Sequence, residues 1–99
     1  MYPRRSRFEI ISAVLSLCSR DPMRKTRIMY QCNLSTDLLN KYLQNLIQME
    51  LLGVVRKSMK EYYQTTEKGQ EFLRTLQKLE ILAKAQVPPS KTYVVNPPQ

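Results

Sequence analysis

Polar side chains recur at helical spacing in the middle of the chain. Thr36, Asn40 and Gln44 follow one another every four residues, and Lys41 lies beside them. On a helix this spacing places the side chains along one face. Asn and Gln amides match the donor and acceptor that adenine presents in the major groove of duplex DNA. The pattern therefore predicts that Thr36, Asn40, Lys41 and Gln44 face base edges.

Basic residues flank this face in three clusters, in a leader, before a short second helix and in a hairpin. Their guanidinium and ammonium groups suit phosphate oxygens, and a serine hydroxyl can add one contact. Taken singly, each charge could equally be a solvated surface group. Phosphate contacts are predicted for Arg4, Arg5, Arg7, Arg24, Lys25, Arg27, Ser35, Arg56, Lys57 and Lys60.

The positive charge belongs mainly to the first part of the chain. The net charge is +8, and residues 1–60 hold eleven basic and four acidic residues against five and four in residues 61–99. Such an excess attracts polyanions, with nucleic acid favoured over a membrane surface. No stretch approaches the roughly 18 apolar residues of a membrane span, and no signal peptide is visible. We expect a cytoplasmic, nucleoid-associated protein.

The composition argues against catalysis and against a metal or cofactor site. Histidine is absent, and the two glycines, Gly53 and Gly69, cannot build a phosphate-binding loop. The two cysteines, Cys18 and Cys32, are too few for a zinc site and fall at apolar helical positions. We expect buried thiols, no cofactor, no metal and no enzyme activity.

Apolar spacing predicts three helices before residue 50. Ile11, Val14, Leu15 and Cys18 mark the buried stripe of a first helix over residues 7 to 19. After Asp21-Pro22, a second helix fits residues 24 to 32. Ser35 is a good N-cap for a third helix that runs to about residue 50, and Asp37 in its first turn suits the helix dipole.

The residues after position 50 predict a hairpin and a last helix. Gly53 suits either a helix C-cap or the start of a strand. Val54-Val55 and Tyr62-Tyr63 are β-prone, and residues 56 to 61 between them form the predicted hairpin segment, or wing. Thr65 or Thr66 caps the last helix, which extends to residue 85.

The last helix carries an apolar seam of alternating four- and three-residue spacing, typical of a helix that pairs with a second copy. The competing interpretation is that this helix folds back on the first helix. Residues 86 to 99 hold four of the six prolines and predict an extended or disordered tail. The predicted dimer interface consists of Phe72, Leu73, Leu76, Leu79, Leu82 and Ala83.

Three helices, a hairpin and a final helix follow the order of an α+β winged helix-turn-helix with a three-helix core and a two-stranded wing. We therefore divide the chain into a basic leader (1–6), the winged domain (7–64), a C-terminal dimerisation helix (65–85) and the proline-rich tail (86–99). The third helix is predicted to enter the major groove, and residues 56 to 61 to follow the backbone or minor groove.

Two segments resemble a family of small archaeal winged-helix DNA-binding proteins. They are Lys25 to Tyr30, continuing through Asn33-Leu34-Ser35 to Tyr42-Leu43, and Thr65-Thr66-Glu67-Lys68-Gly69. The resemblance covers roughly residues 7 to 85. It implies a winged-helix fold, dimers formed through the C-terminal helix, a role as transcriptional regulator or chromatin-associated protein, and a source in an archaeon or its virus.

Two other functions remain open at this stage. A winged-helix domain could instead be an interaction module whose charge attracts an acidic protein. Binding of single strands or RNA would need exposed aromatic side chains between basic residues. Of Tyr30, Tyr42, Tyr62 and Tyr63, most are predicted to pack in the core.

Overall fold

The computed structural model of the chain describes residues 6–84. Within that range the elements follow the predicted order and confirm the α+β fold of three helices, a two-stranded hairpin and a last helix. Arg4, Arg5 and the predicted tail lie outside the described residues. The elements are α1 (Arg7–Arg20), α2 (Lys25–Cys32), α3 (Thr36–Gln48), β1 (Leu52–Lys57), β2 (Lys60–Thr65) and α4 (Glu67–Lys84).

Serine side chains begin α1 and α3. The Ser35 hydroxyl accepts a hydrogen bond from the Leu38 amide at 3.2 Å, which confirms the predicted N-cap of α3. Ser6 caps α1 in the same way, accepting from the Glu9 amide at 3.1 Å. Each hydroxyl satisfies an amide that has no partner within its helix. These caps therefore fix the residue at which α1 and α3 begin.

The ends of α2 and α3 turn through residues in the left-handed conformation. Asn33, at φ 52°, ends α2, and Glu50, at φ 63°, follows α3. The Leu51 amide donates to the Leu46 carbonyl and the Glu50 amide to the Ile47 carbonyl, both at 2.9 Å. These bonds form a Schellman motif, in which glycine is the usual left-handed residue. Gly53 does not serve this purpose, because it lies within β1.

A single apolar cluster holds the helices and the base of the hairpin together. Val14, Leu15, Cys18, Ile28 and Leu39 are completely buried. The predicted stripe of α1 thus lies in the core, and both predicted cysteine thiols are buried. The remaining core members are Ile10, Ile11, Cys32, Leu34, Leu43, Leu46, Leu51, Leu52, Leu73 and Leu76.

The hairpin is longer and its turn tighter than the sequence predicted. Strands β1 and β2 pair antiparallel from Leu52 opposite Thr65 to Lys57 opposite Lys60. Residues 56, 57, 60 and 61, predicted as part of the connecting segment, are paired in the strands. Only Ser58 and Met59 connect them, at φ 53° and 63°. Without an Asn-Gly pair, the residues gave no signal for such a turn.

Backbone hydrogen bonds attach the hairpin to the segment before α2. The Met23 amide donates to the Tyr63 carbonyl at 2.9 Å, and the Tyr63 amide donates back at 2.7 Å. Met23 therefore adds a one-residue bridge to the free edge of β2. Pairing at this edge fixes the hairpin relative to the N-terminus of α2.

Hydrogen bonds fasten the junction between β2 and α4, residues 65 and 66, to other parts of the fold. The Thr65 hydroxyl donates to the Leu15 carbonyl of α1 at 2.7 Å, and the Thr66 hydroxyl donates to the Glu50 carbonyl at 2.6 Å. The Thr66 hydroxyl also accepts from the Gly69 amide at 2.9 Å, which makes it the helix cap. A Cβ atom on Gly69 would overlap the Leu51 carbonyl oxygen. Glycine at this position therefore lets α4 approach Leu51 more closely than any residue with a Cβ atom would permit.

The apolar seam of α4 divides into two halves. Leu73 and Leu76 are buried in the chain's own core and Phe72 is partly buried, because this half packs on α1. Leu79 and Leu82 are 57% and 71% exposed, and Ala83 is exposed. Leu73 and Leu76 thus lie where the competing interpretation of a helix folded back on α1 puts them, and the dimer interface stays a prediction.

Candidate nucleic-acid interface

The surface of α3 presents polar side chains opposite its buried leucines. Leu39, Leu43 and Leu46 face the core. Because each residue rotates about 100° around the axis, Lys41 and Gln44 point away from that core. Both are exposed. Their ammonium and amide groups are free to meet a groove, as the sequence predicted.

Thr36 and Asn40 lie nearer the side of α3 that meets α2. The Thr36 hydroxyl contacts the Met29 sulfur at 3.4 Å, and Asn40 is partly buried. The most outward positions besides Lys41 are Asp37 and Gln48, by the same rotation of about 100° per residue. Gln48 was not among the predicted site residues. Counting the helical rotation from the buried leucines, rather than from Thr36, would have found it.

A shallow groove of about 450 Å³ joins the start of α2 to the tip of the hairpin. It brings Arg24 and Lys25 together with Lys60, residues from two of the three predicted basic clusters. The Met23–Tyr63 bridge is what holds these two segments side by side. The groove is lined by Arg24, Lys25, Thr26, Met59, Lys60, Glu61 and Tyr63.

Tyr63 is a groove residue that the sequence assigned only to packing. Burial, followed in effect by the charge of Glu61, raises the pKa of its hydroxyl above the ordinary 10.0. A tyrosine hydroxyl is a hydrogen-bond donor that could meet a phosphate oxygen. No sequence signal marked this role, because it depends on the pairing with Met23.

The other predicted phosphate contacts spread around this groove. Arg27 shares a neighbouring crevice with Arg24 and the exposed Tyr30. Lys57 lines a separate crevice with Val55 and Ser58. Arg56 is exposed and stands opposite Glu61.

Arg7 is separate from this surface. It lines a different groove with Phe8, Met49 and Phe72, beside the C-terminal end of α3. The structure thus unites the α2 and hairpin clusters and places Arg7 apart from them, whereas Arg4 and Arg5 lie outside the described residues.

Lys57 and Lys60 form the last cross-strand pair before the turn. Like charges directly opposite each other destabilise a hairpin. Within residues 6–84, neither lysine is in an ion pair with an acidic side chain; the pair found there joins Lys68 to Glu50 at 3.9 Å, both well exposed. The hairpin tip, defined as residues 57 to 60, therefore keeps two uncompensated positive charges.

Both cysteines lie buried in the fold. Burial, with a smaller contribution from neighbouring Cys32, raises the pKa of the Cys18 thiol to about 12. The described part of the chain contains no grouping of three or more His, Cys, Asp or Glu side chains suited to a metal ion. None of the helices described is both long and apolar enough to cross a membrane.

Comparison with known proteins identifies the family. The model of the winged helix-turn-helix family matches residues 4–84. The chain belongs to this family. An uncharacterised protein of Methanocaldococcus jannaschii, MJ0287, is 36% identical over 76 residues, which are 77% of this chain and 74% of that protein. The predicted resemblance to archaeal winged-helix proteins is confirmed.

Solved structures share the winged helix-turn-helix fold at low sequence identity. The DNA-binding protein Sso10a-2 of Sulfolobus solfataricus superposes with a TM-score of 0.74 at 22% identity, over 82% of this chain and 84% of that one. SSV1 F-93 gives 0.63 at 18%, over 87% and 100%. The transcriptional regulator BldR of Sulfolobus solfataricus gives 0.67 at 15%, over 82% and 63%.

Proposed function

We propose that the chain binds double-stranded DNA, with α3 in the major groove and the hairpin on the backbone or minor groove. The observation that carries this proposal is the groove in which Arg24, Lys25 and Lys60 meet. No ion pair within residues 6–84 neutralises these three groups, so they are available to phosphates. Two of its structural neighbours are a DNA-binding protein and a transcriptional regulator, and we assign this chain a role of the same kind, as regulator or chromatin-associated protein.

The test is a titration of random-sequence duplex at several salt concentrations, followed by fluorescence anisotropy. Each phosphate neutralised contributes about −0.9 to the slope of log K against log salt. We expect a steep negative slope. In an Arg24→Ala, Lys25→Ala, Lys60→Ala variant the slope should become shallower by the amount that corresponds to about three lost phosphate contacts. A flat slope, or no binding at low salt, rejects the proposal and favours an acidic protein partner.

Base recognition requires a separate comparison on α3. We propose that Asn40 and Gln44 read bases, so that replacing them by alanine reduces discrimination between preferred and random duplexes by about 1–3 kcal/mol for each bidentate contact. Gln77→Ala is the matched control, because Gln77 is an exposed amide on α4 and not on α3. Equal loss of discrimination in the control contradicts the assignment.

We also propose that two copies pair through the exposed half of α4. Leu79 and Leu82 continue the seam of Phe72 beyond the part that α1 covers. Covering large apolar side chains stabilises by roughly 1.5–3 kcal/mol each, and a two-fold dimer presents two copies of α3 to the duplex. Pairing with a second copy is the arrangement that buries this half of the helix.

A double variant tests the dimer without disturbing the core. Leu79→Glu, Leu82→Glu is expected to sediment as a folded monomer where the wild type is a dimer. Ile81→Glu is the control, since Ile81 is 69% exposed but points about 160° away from Leu79 around the helix. A wild-type monomer at high micromolar concentration, or equal dissociation by the control, contradicts the proposal.

A further inference from the structure

The turn of the hairpin holds an apolar side chain in an unfavourable backbone conformation. Ser58 and Met59 both have positive φ, at 53° and 63°. Asn and Gly are the residues that adopt this two-residue turn at low cost. A side chain with a Cβ, and without a short polar group to bond its own backbone, is disfavoured there. Folding alone therefore gives no reason for methionine at position 59.

Met59 also makes no packing contribution that could offset this cost. Its side chain is fully exposed, more so than any other large apolar residue in the described range. The thioether stands at the apex of the hairpin, beyond the last paired residues. An exposed, flexible, polarisable side chain of this kind is adapted to contact with another molecule.

The surroundings of Met59 define the charge of that molecule. Lys57 and Lys60 flank the turn from opposite strands, with Cα atoms about 5 Å apart as in any directly opposed pair. Arg24 and Lys25 line the same groove as Met59, and with Lys60 they outnumber its one acidic residue, Glu61. The partner must therefore present anionic groups on both sides of an apolar interior. The minor groove has this form, because phosphates border a narrow floor of stacked bases about 6 Å wide.

We propose that Met59 is an apolar wedge that enters the minor groove and partly separates two stacked base pairs, while Lys57 and Lys60 contact phosphates on the two borders of the groove. The proposal rests on the DNA-binding function proposed above. Methionine is among the side chains that kink duplexes in this way. Pyrimidine–purine steps such as TA unstack most easily, so the hairpin tip favours duplexes with a flexible step at its contact point.

A substitution that suits the turn can separate binding from folding. Met59→Asn removes the wedge, leaves all charges in place and puts at position 59 a residue that tolerates positive φ. Met59→Leu keeps a wedge of similar volume. The folded fraction is checked by thermal unfolding, where Met59→Asn is expected to unfold at or above the wild-type temperature.

Two duplexes of about 30 base pairs, end-labelled for energy transfer, carry either a TA step or an A-tract at their centre. Wild type and Met59→Leu are expected to bend the TA duplex, and Met59→Asn is expected to lose the bend and about tenfold in affinity. Affinity for the A-tract duplex should be unchanged.

An identical bend and affinity in Met59→Asn overturns the wedge while leaving duplex binding intact. A wild type that binds neither duplex overturns the DNA function itself. Met59-dependent binding to vesicles of anionic lipid, without bending of DNA, assigns the tip to a membrane surface and also overturns the wedge.

Discussion

At its base, the β1–β2 hairpin is held by the hydroxyls of Thr65 and Thr66, which reach backbone carbonyls in α1 and after α3 at 2.7 and 2.6 Å. Its tip has two opposed lysines and two residues with positive φ, and Met59 there touches nothing that would compensate. The two strands thus join a base that is held by hydrogen bonds to a tip whose charges and backbone conformation are unfavourable.

This contrast separates residues that maintain the fold from residues adapted to a partner. The buried hydrogen bond of Thr65 at the base stabilises the fold, because the Leu15 carbonyl would otherwise be left without a partner and away from water. Repulsion and backbone strain at the tip cost stability, and binding to a polyanion would offset part of that cost. We therefore expect substitutions at the base to change unfolding, and substitutions at the tip to change binding.

The largest effect is expected at Gly69. Gly69→Ala would place a Cβ on the Leu51 carbonyl oxygen and 2.7 Å from the Thr65 methyl carbon. Backbone atoms must move, and the bond from the Thr66 amide to Leu51, at 3.1 Å, is lost. We expect a loss of about 3 kcal/mol or more in the free energy of unfolding, measured by urea denaturation with circular dichroism.

Gly53→Ala is the control for this prediction, as the other glycine of the chain. A Cβ at Gly53 would meet neighbours at 3.7 and 3.8 Å, which is ordinary contact. Its φ is not positive, so alanine is expected to be neutral or stabilising by up to about 1 kcal/mol. Similar losses in both variants would show that the close approach at Gly69 does not hold α4 in place.

A smaller effect at the base is expected from Thr65→Val. The valine has the same shape but cannot donate to the buried Leu15 carbonyl, so unfolding free energy should fall by about 1–2 kcal/mol. Thr75→Val is the matched control, because Thr75 is exposed and its hydroxyl bonds only within α4, to the Glu71 carbonyl at 3.0 Å. Equal losses at the two threonines would contradict the role assigned to the base.

The helices could be predicted because each carries its own local signals. The stripe of α1 and the serine cap of α3 determine where these helices lie and which face they bury. The motif from Thr65 to Gly69 was recognisable as a resemblance, but its contacts with α1 and Leu51 depend on the assembled fold. The division of α4 into a buried and an exposed half likewise depends on its packing against α1.

The candidate site was predictable in its charge but not in its assembly. Basic clusters are visible in the sequence, whereas the groove that joins two of them needs the bridge between Met23 and Tyr63, two residues far apart in the chain. The turn at Ser58 and Met59 could not be predicted, since neither residue favours positive φ. The conformational preferences of single residues therefore failed to predict the turn that we propose to contact DNA.

The smallest effect on stability, and the sharpest test of the tip, is expected from Lys60→Glu. The change converts the opposed lysine pair into an attractive pair, which should stabilise the hairpin by about 0.2–1 kcal/mol. It also removes a phosphate contact, so the salt slope of duplex binding should become shallower by about one unit.

Arg74→Glu is the control, because it makes the same change in net charge at an exposed position of α4 away from the hairpin. Thermal unfolding and anisotropy at two salt concentrations measure both quantities on the same samples. A rise in unfolding temperature together with weaker binding than the control supports an adapted tip. A loss of binding no greater than that of Arg74→Glu would mean that Lys60 acts only through net charge, and the contrast between base and tip would then have no functional meaning.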